Sequence, residues 1–328
     1  MSDFLNSSAV TTGAVAGVAA ALVLALLFRY ASRLPQALPN ARALHARPVC
    51  RVGGLSIWAG VACAALAGSA WPGGPAGLAG AAMISLVSLV DDWRGVAPLP
   101  RLLVHLLAAA LAATALSGIG GAVGHVGATL AIAWAANLYN FMDGSDGLAA
   151  AMAVCGFSAL AAGAWIAGQS PAPMIAVAAA CVPLLLVNAP PARLFMGDIG
   201  AVPLGFVAGV CGIAGWGAGT WPAWFPVLVF LPFIADATAT LVRRALRRER
   251  VWEAHKSHYY QRLHQMGAGH RGTLAFYGVL MAGTGSSAVF ALAAGVSGPL
   301  LIGAWLIAIA ALFAGIDYHW GIRQQKLR

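Results

Sequence analysis

About eleven apolar stretches, divided by short polar or glycine- and proline-rich connections, constrain this 328-residue chain more than any single motif does. A backbone that crosses hydrocarbon must satisfy its own hydrogen bonds, and a helix of roughly 20 residues does so while spanning the bilayer. The stretches run near 9–28, 52–70, 77–90, 102–116, 126–139, 148–167, 174–187, 202–216, 221–242, 274–296 and 299–316. They predict an all-α polytopic membrane protein of about eleven transmembrane helices, organised as one integral-membrane domain over residues 1–328. A mean hydropathy of +0.81 agrees.

The few charges orient this array. All Lys and Arg residues lie at or beyond the end of an odd-numbered stretch, and the connections after even-numbered stretches, such as WPGGP at 71–75 and SGIGG at 117–121, carry none. Because basic residues stay on the cytoplasmic side, the amino terminus is expected outside and the carboxyl terminus inside. The same rule accounts for the net charge of +9 without nucleic acid as a partner. Asp3 before the first stretch, with Arg29 and Arg33 after it, reverses the charge order of a secretory signal, so this stretch is expected to remain as the first span. Cysteines 50, 63, 155, 181 and 211 form no C-x-x-C pair and suggest neither disulfides nor zinc. Trp71, Trp221 and Trp224 are expected as interface anchors, and Gly13/Gly17 and Gly205/Gly209 as helix-packing positions.

Against this background, polar residues inside or beside apolar stretches stand out, since such groups are costly near lipid and need partners. NLYNFMDGSDG at 137–147 contributes Asn137, Asn140, Asp143 and Asp146. Asp91 and Asp92 follow the third stretch and Asp198 the seventh, so all five acids gather on the expected cytoplasmic face. Magnesium is usually held by one or two carboxylates with substrate phosphates. Phosphoryl transfer needs such a metal and cations for the phosphates. The cations come from Arg101, Arg193 and the segment HKSHYYQRLHQMGAGHRG at 255–272. Within it His255 and His258 share one side if the segment is helical, with Lys256 and Arg262 close by. Taken singly, the acids could be turn residues or helix caps, or Asp91 and Asp92 could pair with Arg94. Convergence of three groups on one face favours a site. DGSDG lacks the acid a calcium loop needs at its twelfth position, where Val154 stands. The glycines of FMGDIG at 195–200 would let backbone approach phosphate or turn the chain. His105, four residues beyond Arg101, reads equally as a core or a substrate histidine. The five arginines from Arg243 to Arg250 are read as topology signals touching anionic membrane lipid.

Five segments together resemble the polyprenyl-phosphate N-acetylhexosamine-1-phosphate transferases (glycosyltransferase family 4). They are PNARALHARPVCRVGG at 39–54, VDDWRG at 90–95, NLYNFMDGSDGLA from 137, NAPPARLFMGDIGAVPLG at 188–205, and HKSHYYQRL at 255–263. The resemblance implies a bacterial inner-membrane enzyme, with its site on the cytoplasmic face. It would move a sugar 1-phosphate from a UDP-sugar to undecaprenyl phosphate, releasing UMP, with magnesium or manganese as cofactor. It implies Asp198 as metal ligand, with Asp91 and Asp92 beside it as ligands, base or lipid-phosphate site. Asn140 and Asp143 would bind nucleotide or metal. His255 and His258 would contact the diphosphate, and Asn137, Asp146, Arg101 and Arg193 would complete the substrate site. A homodimer is compatible with it. His105 stands where the family tends to have glutamine. H-K-S-H replaces the triple histidine of phospho-N-acetylmuramoyl-pentapeptide transferase, the peptidoglycan enzyme, which inclines the reading towards initiation of O-antigen or related envelope glycans, lipopolysaccharide included. The peptidoglycan enzyme is the nearest alternative. A secondary transporter is the alternative from another class, resting on Asp236 after Pro232, while Asp317 is the other acid left in the apolar body.

Overall fold

The computed structural model describes residues 2–38, 44, 47–250, 253 and 255–326, so most of the 39–46 part of the first quoted motif, together with residues 251, 252 and 254, lies outside the described residues. The described chain is mostly helical, with one short antiparallel pairing of Gln36–Ala37 with Val49–Cys50. In chain order the helices are α1 (Ser2–Arg29), α2 (Gly54–Leu66), α3 (Gly74–Arg94), α4 (Pro98–Thr114), α5 (Gly121–Phe141), α6 (Leu148–Ile166) and α7 (Ala172–Asn188). They continue with α8 (Asp198–Gly217), α9 (Trp224–Val229), α10 (Leu231–Leu246), α11 (Tyr259–Leu263), α12 (Gly269–Ala294) and α13 (Gly298–Lys326).

Among the described residues, seven helical runs are long and apolar enough to cross a membrane: 8–29, α3, α5, α6, α8, the run 259–294, and 298–325. The helices α2, α4 and α7 are apolar but shorter. The ninth apolar stretch is divided: α9 stops at Val229 and α10 begins at Leu231, with Pro232 in its first turn. Proline fits a first turn because its missing N–H would be unpaired there, whereas inside a continuous helix it would clash with the preceding turn. Helix also begins earlier than the tenth stretch suggests. The polar segment before residue 274 forms α11 and, through a π turn at His264–Ala268, runs on into α12.

Helix α8 sits at the centre, packed on α3 and α5 and touching α2, α4 and α6. Leu204, Phe206 and Val207 of α8 are buried with Ile132 and Tyr139 of α5 and Phe157 and Leu160 of α6. The small-residue spacings do what helix packing requires. Gly205 and Gly209 face Ala135 and Ile132 of α5, while Gly13 and Gly17 face α7 at Ile175 and Ala179. Trp221 departs from its expected place: it is buried against Gly215 and donates its indole N–H to the Gly212 carbonyl at 3.0 Å, so it closes the end of α8 and is no interface anchor.

Gly54, opening α2, packs directly on Gly200, in the first turn of α8, where a Cβ on Gly54 would overlap the Gly200 backbone. A Gly54→Val substitution is therefore expected to destabilise the fold by about 1–3 kcal/mol, the usual cost of overpacking. A thermal melt in detergent, followed by reaction of a thiol dye with the buried Cys50, Cys181 and Cys211, would show the lowered midpoint.

Candidate active site

Asp91 and Asp92 fall on the last turn of α3, where consecutive residues point about 100° apart and so serve different partners. The Asp92 side chain is fully buried. Its Oδ1 accepts from Arg51 Nε at 2.8 Å, from the second Arg51 nitrogen at 2.6 Å and from the Asp198 N–H at 3.1 Å, and its Oδ2 accepts the Ile199 N–H at 2.9 Å. Asp92 thus caps the start of α8, where helix N–H groups have no partner of their own and the helix dipole favours an anion. Of the alternatives read for this pair, a helix cap exists, made by Asp92 on a different helix, while the basic partners are Arg51 for Asp92 and Arg101 for Asp91 in place of Arg94.

Gly197 makes this cap possible. It precedes α8 with φ of 72°, and a Cβ there would overlap the Arg51 carbonyl and meet Asp92 Oδ2. The backbone approach anticipated at FMGDIG is real, but the group approached is the protein's own carboxylate.

Asp91 and Asp198 form the accessible side of the cluster. Asp91 Oδ1 accepts the Val96 N–H at 2.6 Å, and its Oδ2 pairs with Arg101 from the first turn of α4. The same Arg101 nitrogen lies 3.2 Å from Asp198 Oδ2, and Arg51 lies 3.9 Å from Asp198 Oδ1. Side-chain exposure rises from 0% at Asp92 through 9% at Asp91 to 20% at Asp198. The Asp91 and Asp198 carboxylates stand within hydrogen-bonding reach of each other. Two carboxylates so close need a proton or a cation between them.

Asp143, in the turn after α5, completes the acid group. Burial pushes its carboxyl well above the ordinary range, and the Asp198 and Asp92 charges push it the same way. Asp146 points elsewhere: its Oδ2 accepts the Ala192 N–H at 2.9 Å, and His270 adjoins it, with Nδ1 accepting the Asp146 N–H at 3.2 Å. Asn188 strengthens the same tie, accepting from the Gly147 N–H at 3.0 Å and donating to the Leu194 carbonyl at 2.9 Å. The segments 137–147 and 188–200 are thereby fastened together. Asn137 bonds back to the Ala133 carbonyl at 2.7 Å and adjoins the buried His105, which faces Arg101. Asn140, in the last turn of α5, accepts the Asp143 N–H on its backbone carbonyl at 3.2 Å. Arg193 is not brought to the acids; its guanidinium lies over the Phe28 ring, 5.2 Å from the centroid.

The histidines meet without a shared helix, since both precede α11: the rings of His255 and His258 stack with centroids 4.9 Å apart. Phe141, ending α5, stacks on His258 at 6.1 Å, and the Tyr260 hydroxyl donates to the Phe141 carbonyl at 3.1 Å. This seats the histidine segment beside Asp143. Among the five arginines after α10's core, Arg243 pairs with Asp317, Arg244 with Glu249 and Arg250 with Glu253, so these three have protein partners besides any lipid role. Arg51, Asn188, Tyr260 and His270 were not singled out from the sequence. Arg51 and Asn188 lie inside the quoted motifs, whereas nothing in the residue pattern marked His270 for Asp146.

Among the described residues no group of three His, Cys, Asp or Glu is arranged as a complete metal cage. Asp91 and Asp198 converge on a single cationic nitrogen of Arg101, which suits an ion such as magnesium that takes one or two carboxylates and finds its other oxygens on phosphate and water.

A helical membrane chain with an acid–arginine centre where α3, α4 and α8 meet is the class of protein that fold and site define. Residues 75–215, which carry that centre except for Arg51 and the histidines, match glycosyl transferase family 4. The chain is 27% identical to the probable undecaprenyl-phosphate N-acetylglucosaminyl 1-phosphate transferase of Bacillus subtilis (strain 168), over 71% of this chain and 70% of the relative. It is 29% identical to the decaprenyl-phosphate N-acetylglucosaminephosphotransferase of Mycobacterium tuberculosis (strain ATCC 25618 / H37Rv), over 88% and 85%. A shorter match, 44% identical but covering 21% of this chain and 22% of the relative, is to the phospho-N-acetylmuramoyl-pentapeptide-transferase of Geobacillus kaustophilus (strain HTA426).

His255 gives a stability test. Burial, then the neighbouring His258 and Arg244, push its pKa down to about 4 from an ordinary value of 6.5. Between those values the unfolded chain binds the extra proton, so stability falls as pH is lowered from 6.5 towards 4. The melting midpoint is expected to drop over that window, and less steeply in His255→Gln. An equal slope in both proteins would show that His255 does not carry the effect.

Proposed function

We propose that the protein transfers a sugar 1-phosphate of the N-acetylhexosamine type from a UDP-sugar to undecaprenyl phosphate, releasing UMP, at the cytoplasmic face of a bacterial inner membrane. The observation that carries this is the sharing of Arg101 between Asp91 and Asp198, the two more exposed acids of a cluster whose third member is fully committed to structure. In this reading the chain forms one membrane domain of eleven spans, with α9 and α10 together making the ninth, its amino terminus outside and its carboxyl terminus inside.

The roles divide by exposure. Asp92 holds the start of α8 in place. Asp91 and Asp198 would hold magnesium, which when bound supplies neutralisation of charge on the phosphate oxygens. Arg51 and Arg101 neutralise the acids and hold phosphate oxygens as substrate enters. Asp143 and Asn140 line the nucleotide side, and His255 and His258 stand towards the diphosphate. An oxygen of the lipid phosphate attacks the phosphorus that bears the sugar, and the bond to the UMP oxygen breaks. A phosphate monoester has its second ionisation near 6, so it enters largely as the dianion at neutral pH and requires no strong base.

The names of the relatives favour N-acetylglucosamine over the muramoyl-pentapeptide, because the matches that span most of the chain are to N-acetylglucosamine-phosphate transferases. The H-K-S-H segment leads us to place the product in initiation of O-antigen or a related envelope glycan. The transporter alternative loses its one support, since the Asp236 carboxylate is filled by donors from the protein itself.

Asp198→Asn is expected to lower UMP release from UDP-N-acetylhexosamine and undecaprenyl phosphate on the order of 100-fold or more, with an unchanged melting midpoint, since a metal's charge stabilisation is worth several kcal/mol. Chelation of magnesium should do the same to the wild type. Full turnover in the variant would remove Asp198 from the reacting centre.

A further inference from the structure

Two acids, Asp236 and Asp317, have no part in the acid–arginine centre, yet both are built into the support of the histidine segment. Asp236, on α10, is fully buried. Its Oδ1 accepts the Tyr259 N–H at 2.9 Å and the Thr240 hydroxyl at 3.1 Å, and lies 3.3 Å from His258 Nδ1. Its Oδ2 accepts the Tyr260 N–H at 3.0 Å and the Tyr277 hydroxyl. A backbone N–H can only donate, and one bonds to each oxygen, which favours the ionised carboxylate that can accept from its other neighbours as well. The His258 nitrogen facing it must then be the protonated one, which fixes the tautomer as Nδ1–H.

The ring has little freedom to turn. It is stacked between His255 and Phe141, and the backbone N–H of His258 donates to Gln261 Oε1 at 3.2 Å. Asp317, on α13, holds the next turn from the other side, accepting from Arg262 at 2.6 Å, from Arg243 at 2.6 Å and from the Tyr259 hydroxyl at 3.2 Å.

We infer that Asp236 is a positioning residue that locks His258 in the Nδ1–H tautomer and so makes Nε2 the nitrogen offered to the diphosphate of the nucleotide sugar. The substrate named here rests on the transferase reading, whereas the tautomer follows from the Asp236 contacts alone. Asp236 touches no reacting atom; it acts through His258. The use of a buried carboxylate to set which imidazole nitrogen meets a ligand is a general device of histidine sites.

The test has two arms that fail separately. In protein labelled with 15N-histidine, two-bond proton–nitrogen correlation reads the His258 tautomer without substrate, the resonance being assigned by its loss in His258→Gln. Nδ1–H in the wild type is expected, and Nε2–H there would overturn the inference whatever the activity. The kinetic arm compares Asp236→Asn, His258→Gln and the double variant with UDP-N-acetylglucosamine as the probe. Asp236→Asn should raise KM for the nucleotide sugar roughly 10-fold or more, with kcat changed far less, and should have no further effect once His258 is gone. Independent, multiplying effects would overturn the positioning role. If Asp236→Asn does not fold, the wild-type tautomer still decides. Wild-type protein with the Nδ1–H tautomer but no turnover on any UDP-N-acetylhexosamine would instead reject the transferase reading and leave Asp236 in its place.

Discussion

Asp92 is the charge around which the site is assembled, because a carboxylate sealed from water must be neutralised inside the protein. It finds the Arg51 guanidinium and the first two N–H groups of α8, which need an acceptor just as much. Satisfying one need satisfies the other, and the end of α3 is fixed to the start of α8. Helix α8 begins with Asp198, so the same contact sets Asp198 beside Asp91. Gly197 and Gly54 serve this arrangement: one turns with positive φ to leave room for the carboxylate, the other lets α2 bring Arg51 close.

Scaffold and chemistry therefore separate along one short gradient of exposure. Asp92 has every partner it can use and is walled in. Asp91 and Asp198, nearer the opening, share a single arginine nitrogen between them, an arrangement that an incoming cation or phosphate can change. Asp143 belongs with this pair, its carboxyl made reluctant to ionise by burial and by the neighbouring acids. A site whose negative charges repel one another is one that gains by binding a cation.

The polar segment from His255 to Gly272 shows the same logic at larger scale. Its histidines, tyrosines and Arg262 are drawn into the body by two acids placed on separate helices, Asp236 on α10 and Asp317 on α13. A run that would otherwise remain hydrated can then turn into α11 and continue into α12. The resulting wall stands against Phe141, next to Asp143, so that histidines and acids adjoin although more than a hundred residues separate them.

The apolar stretches and their glycine and proline punctuation were enough to give an all-helical membrane chain, because backbone in hydrocarbon has few other choices. The acids were legible for a related reason: a carboxylate in so apolar a sequence is costly and signals a partner. Which partner was not legible. Whether Asp92 pairs with Arg94 or Arg51, whether Arg193 turns to the acids or to Phe28, and whether Asp236 is an ion path or a support for His258 depend on which helices adjoin. Sequence spacing carries the direction of a side chain along its own helix, but not what stands opposite. The chain by itself determined helices, the membrane and the set of charged residues available for chemistry. Only the packing of α2, α3, α4 and α8, and of α10, α11 and α13, decided which of those charges are spent on holding the structure and which remain free to meet a substrate.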